Sequence, residues 1–200
     1  MTRPPIRIAV LASGGGSNLQ ALLDAFGPGT GARVTRVISN RATAGALERA
    51  RRAGVTAVAL RNPADPAELL AAVGDADLLV LAGYLKLVPA SVVARFRWRV
   101  INIHPALLPA FGGPGMFGRR VHEAVLADGA RESGATVHYA DEVYDRGPII
   151  AQRRVAVEPG DTPDTLAARV LTIEHQLLPA VVAELARRGL PDGPIRLEVE

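Results

Sequence analysis

The stretch from Ile6 to Phe26 constrains the fold most. Ile6 to Ala12 reads as a buried strand, Ser13-Gly14-Gly15-Gly16 as a turn, and Leu19, Leu22, Leu23 and Phe26 then recur at helical spacing. A strand that ends in glycines and passes straight into a helix is the opening unit of a doubly wound α/β sheet. The alternation continues with strand Val34–Ser39, helix Ala44–Ala53 stopped by Gly54, strand Val55–Leu60 and helix Pro66–Val73. Two further apolar strands follow, Asp77–Ala82 and Arg99–Ile103. Five strands separated by crossovers predict a mainly parallel sheet.

Beyond Ile103, the residues Pro105, Pro109, Gly112, Gly113, Pro114 and Gly115 mark a long loop before a helix at Arg119–Ala127. Loops of that length inside a compact domain usually carry function. Strands Ala135–Ala140 and Ile149–Val157 flank the turn Tyr144-Asp145-Arg146-Gly147-Pro148. A long helix is predicted from Thr162 toward Arg187, with a bend at Pro179, and residues 189–200 read as a tail or edge strand. There are no repeats, low-complexity tracts or linkers, so the 200 residues are read as a single domain.

The pI of about 9.9 suggests a nucleic-acid partner, but the net charge is only +3. Lys86 is the only lysine among 23 basic residues and there is no cysteine, so little titrates before the arginines do. The high pI reflects missing titrating groups, and no nucleic-acid partner is expected. Absent cysteines exclude disulfides, thiolate catalysis and cysteine-ligated metals. No signal-peptide or membrane-length apolar run is evident, so a cytoplasmic protein with no membrane partner is expected.

In the first turn, glycines let backbone approach a ligand, and Ser17 or Asn18 can cap a helix whose first amides would bind an anion such as phosphate. An ordinary tight turn reads the same residues equally well. Leu19 stands where a dinucleotide fingerprint needs glycine, and no acidic residue closes the next strand, which argues against dinucleotide binding. In Ile101-Asn102-Ile103-His104-Pro105, strand alternation points Asn102 and His104 the same way, at the carboxyl end of a parallel strand where open α/β sheets place ligands. Asp145 is either the first residue of a β-turn or a partner that raises the pKa of His104. Glu174 has Val170, Leu171, Leu177 and Leu178 at helical spacing around it. A carboxylate in such a stripe either reaches the surface or meets a cation, and a substrate amine would serve. The interleaved Arg95-Phe96-Arg97-Trp98-Arg99 fits a strand with one solvated face. The four histidines show no metal-ligand spacing, and no metal is expected.

Together, Ser13-Gly14-Gly15-Gly16-Ser17-Asn18-Leu19, Leu81-Ala82-Gly83-Tyr84, Asn102-Ile103-His104-Pro105-Ala106-Leu107-Leu108-Pro109, Gly134-Ala135-Thr136-Val137-His138, Asp145-Arg146-Gly147-Pro148-Ile149-Ile150 and Glu174-His175 resemble the folate-dependent formyltransferases. The resemblance spans nearly the whole chain and is strongest to the branch that formylates phosphoribosylglycinamide in purine biosynthesis. It implies a Rossmann-like fold, with residues 1–100 as a phosphate-binding half and 101–188 as a folate and catalytic half. It further implies that Gly16, Ser17, Asn18, Leu19 and Gln20 hold the substrate phosphate and that Glu174 receives its amine. Leu85, Lys86, Leu87, Val88, Asn102, Ala140 and Asp141 would border 10-formyltetrahydrofolate, the co-substrate. Asn102 and a protonated His104 would stabilise the tetrahedral intermediate, with Asp145 tuning His104. A monomer or weak homodimer is expected. The loop Ala110–Gly118 is longer than in well-known members and lacks a histidine they carry, and Asn62–Pro66 offers no arginine where many have one. The alternatives are formyltetrahydrofolate hydrolysis, another formyl transfer, or a non-catalytic phosphate-binding module.

Overall fold

In the computed structural model, which describes residues 4–198, the apolar runs assemble into one seven-stranded sheet. Its strands are β1 (Ile6–Leu11), β2 (Ala32–Ser39), β3 (Thr56–Ala59), β4 (Leu78–Leu81), β5 (Val100–His104), β6 (Glu132–Tyr139) and β7 (Ile149–Ala156). The spatial order is β3-β2-β1-β4-β5-β6-β7. Strands β1 to β5 pair in parallel, while β5–β6 and β6–β7 pair antiparallel. The helices are α1 (Ser17–Ala25), α2 (Gly45–Arg52), α3 (Pro66–Val73), α4 (Ala90–Arg95), α5 (Arg119–Ala127) and α6 (Pro163–Arg188). The predicted doubly wound, mainly parallel class is the one observed.

Side-chain alternation explains why β1 is apolar throughout. Ile8 and Val10 face one core layer, with Leu19, Leu22, Leu47, Val125 and the α6 side chains Leu166, Val170 and Val181. Ala9 and Leu11 face the other, with Leu69, Val73, Val92 and Phe96 from α3 and α4. A parallel strand covered on both faces has no polar side to show. Asp65 caps α3 by accepting the Ala67 N–H at 2.9 Å, and Thr162 and Thr165 form a capping box at the start of α6.

One helix was missed, and of the two readings of the tail one is set aside. Helix α4 was not anticipated: at six residues it is too short to establish a period, and only Val92 is buried within it. Helix α6 runs from Pro163 to Arg188 with Pro179 inside it. It is also, at 26 residues with a mean hydropathy of 1.2 in its most apolar window, long and apolar enough to cross a bilayer. Its buried stripe, which includes Leu166, Val170, Leu177 and Leu178, instead belongs to the main core. The tail after Gly189 forms no strand over its described residues. It is anchored where Leu197 N–H donates to the Ile150 carbonyl at 2.7 Å, and Val199 and Glu200 lie outside the described residues.

The sheet places the catalytic end of the molecule. From β1 the chain winds outward to β2 and β3, then returns to start β4 on the other side of β1. That reversal opens a crevice at the carboxyl ends of β1 and β4, the place where such sheets bind ligands. Past β6, the turn carrying Asp145 is pinned by Tyr139 N–H donating to the Pro148 carbonyl at 2.9 Å. A Cβ on Gly147 would sit 1.8 Å from the Tyr139 carbonyl oxygen. Gly147→Ala is therefore expected to force this turn off β6, lowering stability by about 2–3 kcal/mol and displacing Asp145. Unfolding in urea checks it, with an unchanged midpoint as the contrary result.

Candidate active site

The crevice is a cleft of about 560 Å³ whose lining comes from both halves of the chain. At one end lies the glycine loop, Gly14 to Asn18. Gly16 has φ +78°, and a Cβ there would lie 2.8 Å from Ala46 Cα, so only glycine lets the loop pack on α2. The loop is held from behind: Ala46 N–H donates to the Gly14 carbonyl at 3.0 Å, and Arg49 Nε donates to the Gly15 carbonyl at 2.7 Å. Gly16 itself is the N-cap of α1 and no side chain caps the helix, contrary to the expectation for Ser17 or Asn18. The first-turn amides thus face the cleft end without an internal side-chain acceptor, the arrangement that receives an anion.

Not every residue expected at this end lies there. Leu19 is fully buried in the core and does not line the cleft. The Gln20 side chain is engaged outside it, accepting from Arg49 at 3.0 Å and donating to Asp24 at 2.8 Å. On a helix only one face meets the ligand, and these two residues point elsewhere. Gly16, Ser17 and Asn18 do line it. Glu174 lines it too, but it already has a partner: Asn18 Nδ2 donates to Glu174 Oε2 at 2.5 Å. Burial pushes the Glu174 carboxyl above its ordinary range, and the Asn18 hydrogen bond only partly offsets this. A cation arriving in the cleft would find a carboxylate that lacks a counter-charge. Asn18 Oδ1 is buried with no hydrogen-bond partner, which leaves an acceptor next to it.

In the middle of the cleft four side chains converge. Asn102 and His104 project from β5 on the same face, as expected, while Ile101 and Ile103 turn into the core. The antiparallel register sets His138 of β6 directly opposite Asn102. Asn102 Nδ2 donates to His138 Nε2 at 2.9 Å and lies 3.4 Å from Asp145 Oδ1. His138 Nδ1 donates to the Tyr139 carbonyl at 2.8 Å, so its Nε2 is the acceptor. Asp145 Oδ2 lies 3.5 Å from His104 Nδ1 and its Oδ1 lies 3.5 Å from His138 Nε2. It also accepts the Gly113 N–H at 2.9 Å. Asp145 occupies the left-handed region, with φ +58°, which aspartate tolerates better than most residues. Asp145 is thus a central residue of its turn and not the first, and its partner reading agrees with its approach to His104.

The electrostatics correct one expectation. Burial is the largest influence on His104 and lowers its pKa below 6.5, against which the nearby Asp145 and the Phe111 carbonyl act only in part. His104 is thus a neutral imidazole at pH 7, not the protonated donor expected. Its Nε2–H donates to the Phe111 carbonyl at 2.8 Å, which fixes the tautomer and leaves Nδ1 facing Asp145. Burial pushes the Asp145 carboxyl up, but its neighbours His138, His104 and the Gly113 N–H outweigh it and hold it low, so Asp145 is a carboxylate. The loop Ala110–Gly118 supplies both Phe111 and Gly113 and is part of the site.

One wall is apolar. Leu85, Leu87, Phe117 and Val143 are the large hydrophobic residues exposed among those described, at 36%, 43%, 43% and 46%, and all four line the cleft. Lys86, Val88, Ala140 and Asp141 line it as expected. Asn62–Pro66 does not; there Glu68 accepts the Arg61 and Asn62 N–H groups instead. His122 and Tyr84 also line the cleft and were not expected as site residues. His122 Nδ1 and the Tyr84 hydroxyl are buried without partners. Burial, with Tyr144 nearby, pushes the Tyr84 hydroxyl up to about 12, so it is a donor at all ordinary pH. Among the described residues no group of three or more His, Asp and Glu is arranged to hold a metal ion.

Residues 6–182 match the formyl transferase family model. The chain belongs to the formyl transferase family. Its relatives agree: it is 43% identical over 193 residues, 92% of this chain, to the chloroplastic phosphoribosylglycinamide formyltransferase of Vigna unguiculata. It spans 62% of that protein's length and 66% of its Arabidopsis thaliana counterpart. With phosphoribosylglycinamide formyltransferase of Escherichia coli it shares 38% identity over 204 residues, covering 96% of this chain and 90% of the other. The solved structure of glycinamide ribonucleotide transformylase 1 from Symbiobacterium toebii superposes with a TM-score of 0.85 at 42% identity, covering 96% and 92% of the two chains. For a formyl transferase, the missed His138 was legible: it closes the quoted motif Gly134–His138, and an antiparallel partner for β5 puts it opposite Asn102.

Proposed function

We propose that this formyl transferase moves the formyl group of 10-formyltetrahydrofolate to the amine of phosphoribosylglycinamide. The observation that carries the reading is the set of chemistries gathered in one cleft: anion-accepting loop, carboxylate without a counter-charge, polar catalytic cluster and apolar wall. The phosphate meets the first-turn amides of α1 at Gly16, Ser17 and Asn18. The amine meets Glu174. The folate ring lies against Leu85, Leu87 and Val143, with Lys86 and Asp141 beside its polar substituents. In this reading the formyl carbon comes to Asn102 and His104.

The neutral amine attacks the formyl carbon and an oxyanion develops. Asn102 is the side-chain amide donor beside it, and such a donor is worth most in a site that excludes water. The proton that the amine sheds passes to the His104–Asp145 pair, whose imidazole is unprotonated at rest and whose charged form the carboxylate favours. The same pair returns the proton to the departing folate nitrogen. No covalent bond to the protein is formed.

Two observations weigh against the alternatives. Hydrolysis of formyl-folate needs neither an anion loop nor Glu174, and a passive phosphate-binding module needs no buried cluster of two histidines, an asparagine and a carboxylate. Substrate traffic is of small molecules in the cytoplasm, and a monomer or weak dimer suffices because the cleft is complete within one chain.

Calorimetric titration with phosphoribosylglycinamide tests the amine contact. Glu174→Gln keeps shape and the Asn18 contact but removes the charge, and a charged hydrogen bond contributes about 1.5–3 kcal/mol. Binding should weaken on the order of 10- to 100-fold, and unchanged affinity would contradict the assignment.

A further inference from the structure

Ser13 stands outside every role described above. It is 2% exposed, and its hydroxyl joins two distant segments. It donates to Asn40 Oδ1 at 2.5 Å, just past β2, and accepts the Leu85 N–H at 2.9 Å. Its own N–H donates to the Gly83 carbonyl at 2.9 Å. One buried residue thus ties the start of the glycine loop to the start of the segment 85–88, across the crevice between β1 and β4. Among the described residues, the Leu85 N–H is the one backbone donor of 85–88 with a protein acceptor. Leu85 and Leu87 are 36% and 43% exposed, so packing alone does little to hold this wall.

We infer that Ser13, held by Asn40, is a positioning residue that sets the folate-facing wall Leu85–Val88 relative to the phosphate-binding loop. The inference rests on the proposed assignment of these two walls to the formyl donor and the amine substrate. The hydroxyl is suited to the task because it donates and accepts at once: Asn40 takes its proton and so orients its lone pairs at Leu85. Neither Ser13 nor Asn40 lines the cleft, so the residue acts on the position of the donor and not on the chemistry.

Full-length Ser13→Ala, titrated with tetrahydrofolate and assayed for transfer, tests it. Tetrahydrofolate affinity should fall, and the KM for the formyl donor rise, about three- to tenfold, the range one hydrogen bond of ordinary net strength supplies. Affinity for phosphoribosylglycinamide should change less than about twofold and kcat at saturation less than about threefold, a split that a general loss of stability does not produce. Ser13→Thr, which keeps the hydroxyl, should restore the wild-type KM. Asn40→Ala, which removes the hydroxyl's acceptor, should raise the donor KM, and it decides the matter alone if Ser13→Ala does not fold. Equal tetrahydrofolate affinity in wild type and both alanine variants overturns the inference and leaves the formyl-transfer reading standing. A wild-type protein that takes up no tetrahydrofolate overturns both.

Discussion

His104→Ala should lower kcat on the order of 100- to 10,000-fold, the usual cost of losing a positioned general base and acid. Both substrates should bind within about threefold of wild type, because Glu174, the glycine loop and the apolar rim are untouched. The pH profile carries a sharper signature. His104 acts as a neutral imidazole and burial sets its pKa below 6.5. As the pH falls through that pKa the imidazole becomes protonated, and kcat/KM should fall with it. The acid limb should therefore have its midpoint below 6.5, and the residual activity of His104→Ala should lack that limb. Stability works in the same direction. An unfolded chain takes up a proton at His104 with the ordinary pKa of 6.5, whereas the folded chain resists it. Stability conferred by the neutral form thus erodes as the pH falls below 6.5, and the kinetic profile should be taken where the thermal midpoint is constant. A profile that instead falls as the pH rises through the His104 pKa would mean that the charged form is the working one.

Asp145→Asn should cost on the same scale, on the order of 100- to 10,000-fold in kcat, because it disables the same proton-accepting pair. The carboxylate faces His104 and His138 at 3.5 Å each and accepts the Gly113 N–H at 2.9 Å. Asparagine keeps the size and one oxygen, so the tie to Gly113 survives and the loop Ala110–Gly118 stays in place. What is removed is the charge that stabilises the imidazolium formed during proton transfer. Steady-state kinetics should show kcat collapsing while the KM for both substrates moves little. A loss confined to KM would make Asp145 a loop anchor and nothing more.

The sheet was legible because its signal is local. Strands covered on both faces are apolar without interruption, and α3 and α5 begin and end where expected, at Pro66–Val73 and Arg119–Ala127. What failed to show was whatever depended on long-range contact. Asn18 and Glu174 meet across 156 positions, so Glu174 looked unpartnered. Leu19 and Gln20 follow the glycine loop in sequence but leave the cleft as α1 rotates them toward the core and toward Arg49. The charge state of His104 was misjudged for the same reason. A nearby carboxylate is visible as a motif, whereas the burial that outweighs it depends on the loop folding Phe111 onto the ring. His138 needed only the strand register.

The most direct measurement is release of tetrahydrofolate from 10-formyltetrahydrofolate, followed with and without phosphoribosylglycinamide. Formyl transfer predicts release that requires the amine and matches it mole for mole in formylated product. Release at the same rate without the amine would contradict the account and make the cleft a hydrolase site.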